Sequence, residues 1–172
     1  GWSIMGDCET NQSYINLGKN TTVYQAEVKA IIESTLKLLE QGISNKNVKF
    51  FVDSQSAIKS LGGYLVKTEL TARCKRLLNI LAISNIVTVN WIPGHSNHPG
   101  NEVADQLAKM GTNHEIITEM PVSEATIKQE IKFWMRKKHQ EEWSNPDRAD
   151  HCRQTKMMLP EINFFFWKQL MK

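Results

Sequence analysis

The chain has 172 residues, of which 41% are hydrophobic, and its formal net charge is +3 with a sequence pI near 8.7. This length and apolar content predict one globular domain with an extension. The slightly basic balance suits a nucleic-acid partner, but it does not establish one because many unrelated proteins are as basic.

The cysteines and the hydropathy pattern exclude several classes of protein. Cys8, Cys74 and Cys152 are widely spaced and form no Cys-x-x-Cys pair, so we interpret them as reduced thiols and not as a disulfide framework. His151 beside Cys152 keeps zinc binding as a minor alternative. No stretch is long enough to span a membrane, and residues 1–4 do not resemble a signal peptide. We therefore expect an intracellular protein, in the cytoplasm or the nucleus, that is not secreted.

The first predicted elements are a hairpin and a long helix. Residues 2–5 and 13–17 are predicted to be the two strands of the hairpin, because their character alternates on either side of a polar turn. Thr22 and Gln25 have the spacing of a capping box and predict the start of the helix. Gly42 is predicted to end it.

Strands and helices then alternate up to about residue 112. The run 48–52 is apolar on both faces and predicts a central parallel strand. A short helix over 54–61, a longer helix over 68–82 and a β-branched strand over 86–91 follow. After a loop rich in Gly, Pro and His, the next helix is predicted to begin with Asn101 as its N-cap.

The composition changes from about residue 113, so we divide the chain into a domain at 1–112 and a helical extension at 113–172. Ser123 is predicted to cap a helix that runs from 124 to about 143 and combines apolar residues at helical spacing with several Lys and Arg. This helix either lies along nucleic acid or packs on its own domain, and both interpretations stay open. The aromatic end of the chain has no helix-stop signal, so we expect a fragment of a longer polypeptide.

Three carboxylates on separate predicted elements are candidates for a metal site. Glu27 interrupts the apolar side of the first helix, where Val23 also lies, and Asp53 directly follows the strand 48–52. Asp105 lies in the helix after the Gly/Pro/His loop. Carboxylate oxygens are the ligands that hard divalent cations prefer. Each acid also has an ordinary interpretation: a helix cap for Asp53, a surface acid for Asp105, and for Glu27 an edge position or a charged partner.

Three blocks of sequence resemble the ribonuclease H family, type 1, and in particular the ribonuclease H domain of insect non-LTR retrotransposon polyproteins. The blocks are YQAEVKAI at 24–31, FVDSQSA at 51–57, and the segment 91–105, which contains WIPGH and GNEVAD. They occur in the family's order and together cover most of residues 1–111. The resemblance implies an α/β fold in which a mixed sheet is flanked by helices.

The resemblance also implies an activity and the residues that carry it. Glu27, Asp53 and Asp105 match three of the family's four metal-binding acids, and His95 matches the loop histidine that assists proton transfer and product departure. The implied reaction is two-metal hydrolysis with Mg²⁺, or alternatively Mn²⁺. For His95, an ordinary loop histidine held by local hydrogen bonds is the competing interpretation.

The implied substrate is the RNA strand of an RNA–DNA hybrid, recognised through its 2′-hydroxyl groups and duplex shape. Ser54, Gln55 and Asn101 are the candidate contacts to the substrate backbone, although N-capping explains Asn101 equally well. The implied context is a reverse transcriptase polyprotein of a retrotransposon.

One family feature has no match in the sequence. The family's first strand carries an Asp, and no residue before Trp2 supplies it, so we expect the central strand of the sheet to be missing. Asp7 is a replacement candidate, but Asp is favoured in turns for backbone reasons. The first alternative function is therefore a catalytically dead, nucleic-acid-binding or structural relic. The second is a DDE integrase or transposase, against which the order of the acids argues.

Overall fold

The computed structural model describes residues 1–6, 10–94 and 99–144. The chain forms two compact units, Gly1–Pro121 and Val122–Lys172. The predicted domain boundary at 112/113 stays a prediction. The helices and strands of the described residues are β1 (Trp2–Met5), β2 (Thr10–Ser13), α1 (Val23–Glu40), β3 (Asn47–Val52), α2 (Gln55–Gly62), α3 (Glu69–Ala82), β4 (Ile86–Trp91), α4 (Pro99–Thr112) and α5 (Glu124–Ser144).

The strands form two pairs. β1 and β2 are antiparallel, whereas β3 and β4 are parallel along their whole length, from Asn47 opposite Ile86 to Val52 opposite Trp91. A parallel pair requires a crossover, which α2 and α3 provide. The mixed α/β class is thus confirmed. The strands that the structure describes nevertheless make two separate two-stranded sheets and not one mixed sheet, since no backbone hydrogen bonds join the pairs.

The hairpin differs from its prediction in the second strand. That strand is Thr10–Ser13, and not 13–17. The alternating residues after Ser13 pair elsewhere, because the carbonyl of Asn16 accepts a hydrogen bond from the Thr118 amide at 2.7 Å and its side chain donates to the His114 carbonyl at 2.7 Å. Residues about 100 positions later in the sequence therefore determine the hydrogen bonding of this segment.

Helix α1 is the element on which the core of the first unit is built. Its predicted capping box is present, with the Thr22 hydroxyl accepting from the Gln25 amide and the Gln25 side chain accepting from the Thr22 amide. Its apolar side contributes Val28, Ile31 and Ile32 to a core cluster that also contains Val52, Ala57 and Cys74. Burial of this side fixes the orientation of α1 against β3 and α3.

Two details of α1 refine the prediction. Gly42 follows the helix with φ 64°, in the left-handed region that glycine adopts without steric cost, so the predicted stop is confirmed. Val23 was predicted on the buried side but is 77% exposed. It lies nine residues before Ile32, about two and a half helical turns, and so it faces the opposite direction.

A polar contact joins the first three helices. The Tyr24 hydroxyl of α1 lies 2.6 Å from the hydroxyl of Thr71 in α3 and donates to the Ser60 hydroxyl of α2 at 3.0 Å. Ser54 and Thr68 cap α2 and α3 by accepting hydrogen bonds from the backbone amides of their first turns. The contacts of Tyr24 place the starts of α1 and α3 near the end of α2.

Helix α4 begins earlier than predicted. Its first residue is Pro99, so Asn101 lies inside the helix and is not its N-cap. Proline is favoured in the first turn because its missing N–H would have no helical partner there. Near the other end, a Cβ atom on Gly111 would lie 3.0 Å from the Ile15 carbonyl oxygen. The absence of a side chain at Gly111 thus allows α4 to lie directly against the segment after β2.

Helix α5 belongs to the second unit and confirms the predicted element. The Ser123 hydroxyl accepts from the Thr126 amide at 3.1 Å, as the predicted cap requires. Large apolar side chains on α5 are exposed, among them Ile127, Ile131 and Trp134. None of the helices within the described ranges has the length and hydropathy needed to cross a membrane.

Candidate active site

The acid Asp53 directly follows Val52, the last residue of β3, at the carboxyl end of the parallel strand pair. The N-cap of α2 is Ser54, whose hydroxyl accepts from the Ala57 amide at 3.3 Å. The alternative interpretation of Asp53 as a helix cap is therefore wrong. Its backbone carbonyl accepts a hydrogen bond from the Trp91 indole Nε1 at 3.1 Å, which ties the end of β3 to the end of β4.

The segment after β4 passes close to the same carboxylate. A Cβ atom placed on Gly94 would lie 3.5 Å from Asp53 Oδ2, an ordinary van der Waals distance. A methyl group at this position would therefore contact the carboxylate without a clash. The next four residues, which include His95 and His98, lie outside the described part of the chain.

Glu27 is half-buried on α1, and the charges of both other acids affect the pKa of its carboxyl group. Burial is the main factor that raises the pKa of its carboxyl group, followed by the negative charge of Asp53. The α-amino group of Gly1 opposes this shift, and Asp105 adds to it. The folded chain therefore brings the three predicted acids within electrostatic range of one another.

The first residue of the chain lies against α4 near Asp105. A Cβ atom on Gly1 would be 2.8 Å from the Ala104 carbonyl oxygen and 2.6 Å from the Ala108 amide nitrogen, so no side chain fits there. Burial lowers the pKa of the Gly1 amine, while Glu27 and Asp105 raise it by attraction. The amine thus experiences the negative potential that the acids produce together.

The acids fit a divalent cation in their chemistry but not in their spacing. Carboxylate oxygens are the ligands that Mg²⁺ prefers, and mutual repulsion of the acids would be relieved by a cation. However, within residues 1–6, 10–94 and 99–144, no three His, Cys, Asp or Glu side chains are close enough to hold a metal ion together. Asp53 and Asp105 are thus close enough to affect the Glu27 carboxyl group electrostatically, but the described residues do not form a complete set of metal ligands.

The predicted substrate contacts occupy different positions. Ser54 is engaged as the cap of α2, and Gln55 is exposed at the first position of that helix. Asn101 is half-buried in α4, and its side-chain Nδ2 has no hydrogen-bond partner among the described residues. Their roles toward a substrate stay predictions.

Sequence reasoning missed the part of Trp91 and Gly94 in the site. Both were recognised as members of a family block, yet nothing in their local sequence indicated contact with Asp53, about 40 positions earlier. Of the other candidates, Asp7, Cys8, His151, Cys152 and the aromatic end of the chain lie outside the described residues.

Comparison with known proteins gives a consistent result. The sequence model of the family described as RNase H matches residues 1–113. The chain is 32% identical over 124 residues to Ribonuclease H of Cupriavidus pinatubonensis, an alignment that covers 64% of this chain and 83% of that protein. It is 34% identical over 103 residues to Ribonuclease H of Ralstonia nicotianae, with coverage of 53% and 66%. It is also 29% identical over 112 residues to Ribonuclease HI of Haemophilus ducreyi, with coverage of 58% and 71%.

The family match covers more than half of the chain and includes all three acids, Glu27, Asp53 and Asp105. The similarity to bacterial relatives extends over most of their length. The chain therefore belongs to the ribonuclease H family.

Proposed function

We propose that this chain hydrolyses the RNA strand of RNA–DNA hybrids and that Glu27, Asp53 and Asp105 are the acids of its active site. The observation that carries the proposal is the electrostatic coupling of Glu27 to both Asp53 and Asp105, since these residues come from three different elements. An acid whose pKa is raised by burial and by neighbouring acids is typical of functional sites. The names of the bacterial relatives support the same reaction.

The acids would bind Mg²⁺, with Mn²⁺ as the alternative, because hard cations need oxygen ligands and relieve repulsion among carboxylates. When bound, such ions activate a water molecule and stabilise the leaving 3′-oxygen. The hydrogen bond from Trp91 holds the backbone of Asp53 at the end of β3, which would keep its carboxylate directed toward the site. His95 would take part in proton transfer and product departure.

Substrate recognition would involve the nucleic-acid backbone. We assign Ser54, Gln55 and Asn101 as contacts to it. Discrimination between RNA and DNA would rest on the 2′-hydroxyl groups and on duplex shape, so little sequence preference is expected.

The biological context is also part of the proposal. The three sequence blocks resemble insect non-LTR elements, so we propose that the chain acts within a retrotransposon reverse transcriptase polyprotein. Its location would then be the cytoplasm or the nucleus.

A second candidate function is a nucleic-acid-binding or structural relic without turnover. One observation favours it: the residues that the structure describes do not form a closed metal-ligand set. Binding of a hybrid without metal-dependent cleavage would distinguish this alternative.

The test is cleavage of a labelled RNA–DNA hybrid in Mg²⁺ and in Mn²⁺ by the unmodified chain, Asp53→Asn and Glu27→Gln. Glu40→Gln is the matched control, because it removes a carboxylate from the other end of α1, where Glu40 forms only an exposed ion pair with Lys37. We expect Asp53→Asn and Glu27→Gln to abolish cleavage and Glu40→Gln to leave it unchanged. A folded, hybrid-binding chain that cuts nothing in either metal would refute the proposed activity and support the relic.

A further inference from the structure

The positive charge of this chain is concentrated in one part of α5. Five of the 21 Lys and Arg residues but only one of the 18 Asp and Glu residues lie between 128 and 138. That segment therefore has a formal net charge of +4, whereas the rest of the chain has a net charge of −1, given the total of +3. This concentration is local, since the domain at 1–112 has 11 Lys and Arg against 9 Asp and Glu, a net charge of +2, and the extension at 113–172 has 10 against 9, a net charge of +1.

Three of these basic residues lie in a row on one side of the helix. Lys128, Lys132 and Arg136 follow one another at intervals of four residues, and all three are exposed. Residues at this spacing project from the same side of an α-helix. At a rise of 1.5 Å per residue, the row spans about 12 Å. We call these three residues the α5 basic row.

The intramolecular contacts of the two lysines in the row leave their charges accessible. Lys128 pairs with Glu124 at 2.5 Å, but both side chains are largely exposed, and exposed ion pairs of this kind contribute little. Lys132 has no ion-pair partner among the described residues. Lys128 and Lys132 can therefore exchange their contacts for an external anion at small cost.

Three large apolar side chains of α5 point in another direction, whereas the exposed Met135 and Phe133 flank the basic row at helical spacing. Ile127, Ile131 and Trp134 are each about half-exposed and lie roughly a third of a turn away from the basic row. A protein surface that covered this apolar side would leave the basic row at its margin or in solvent. The two sides of α5 thus differ in the partner that they suit.

We propose that the α5 basic row binds the phosphate backbone of the RNA–DNA hybrid and adds a second contact to that of the catalytic domain. This inference rests on the proposed function, which supplies the hybrid as the substrate. Phosphates provide most of the sequence-independent affinity of proteins for nucleic acid, and a row of about 12 Å passes several of them along a duplex. The contact therefore contributes affinity and salt dependence, but no sequence preference.

The test measures binding and not cleavage. Affinity for a fluorescent RNA–DNA hybrid is determined by anisotropy in EDTA between 50 and 200 mM salt, a range over which phosphate contacts dominate the change. The row variant carries Lys128→Gln, Lys132→Gln and Arg136→Gln. The control variant carries Lys19→Gln, Lys46→Gln and Lys137→Gln, which removes the same charge from exposed positions outside the row.

For three lost phosphate contacts, the slope of log K against log salt should decrease by about 2 to 3, with affinity at least about tenfold weaker near 100 mM salt. The control variant should keep the slope of the unmodified chain. A variant with Lys128→Arg and Lys132→Arg should also keep it, because the charges remain. Circular dichroism shows whether each variant retains its helices, and the single changes Lys132→Gln and Lys137→Gln repeat the comparison if a triple variant unfolds.

Equal slopes for the row and control variants would overturn the inference, since they would reflect net charge and not a particular surface. An unchanged slope together with a shift in sedimentation mass would also overturn it and assign this side of α5 to a contact between copies of the chain. A chain that binds through the row but does not cut would refute only the proposed function. A chain that cuts, but whose affinity does not depend on the row, would refute only this inference.

Discussion

Replacement of Ile32 by alanine tests whether α1 is held in place by the core described above. Ile32 is fully buried, at 0% exposure, within the cluster formed by α1, β3, α2 and α3. The change removes three side-chain carbons, which corresponds to about 2.4 kcal/mol of lost burial at about 0.8 kcal/mol per carbon. The cavity adds about 1–2 kcal/mol, for a total of about 3.5–4.5 kcal/mol. Since small domains have total stabilities of about 5–15 kcal/mol, this loss is large.

The assay is urea unfolding monitored by circular dichroism, with Ile83→Ala as the matched control. Ile83 follows α3 and is 81% exposed, so the same chemical change should cost less than about 0.5 kcal/mol there. The dependence of unfolding free energy on urea should stay the same in both variants, because the folded surface changes little. If Ile32→Ala cost under about 1 kcal/mol, or no more than Ile83→Ala, the described burial of α1, and with it the placement of Glu27, would be wrong.

Two further predictions concern titrating groups. Burial and Asp53 raise the pKa of Glu27 in the folded chain, so the folded state holds this proton more tightly than the unfolded state does. The unfolding free energy should therefore fall as the pH rises from the ordinary glutamate pKa through the raised pKa of the folded chain. Urea midpoints measured in EDTA should show this decrease in the unmodified chain and a smaller one in Glu27→Gln, and identical pH profiles would contradict the assignment. Burial also raises the pKa of Cys74 to about 12, from a reference value of 9.0. In a Cys8→Ser, Cys152→Ser background, Cys74 should react with iodoacetamide about a thousandfold more slowly when folded than in urea, since three pKa units reduce the thiolate a thousandfold. Labelling at the unfolded rate would show that α3 does not bury this thiol.

Several elements were predictable because their determinants are local. The capping box of Thr22 and Gln25, the stop at Gly42 and the cap at Ser123 all act within a few residues, and the structure confirms each of them. Local backbone chemistry was sufficient in these cases. The strand 48–52 was recognised from its apolar residues, but it was predicted to be a central strand that is apolar on both faces. Among the described strands β3 pairs with β4 alone, and Lys49 and Phe51 are exposed on one face, so that part of the prediction is wrong.

The errors arose where distant residues compete with the local pattern. The alternating residues after Ser13 indicated a strand, but Asn16 is taken up by hydrogen bonds to His114 and Thr118. Val23 was grouped with the apolar side of α1, although the other side of the helix contacts β3 and α3. Periodicity identifies a helix, but the neighbours that pack against it decide which side is buried.

The sequence by itself determined the family of this protein, the order of its helices and strands, and the identity of its candidate acids, because motif spacing and capping are written in consecutive residues. Only the tertiary structure decided that Glu27 is coupled to Asp53 and Asp105 and that Trp91 holds the backbone of Asp53. These relations depend on burial and on distances across the chain, since a carboxyl pKa reflects the charges around it in space and not those beside it in sequence.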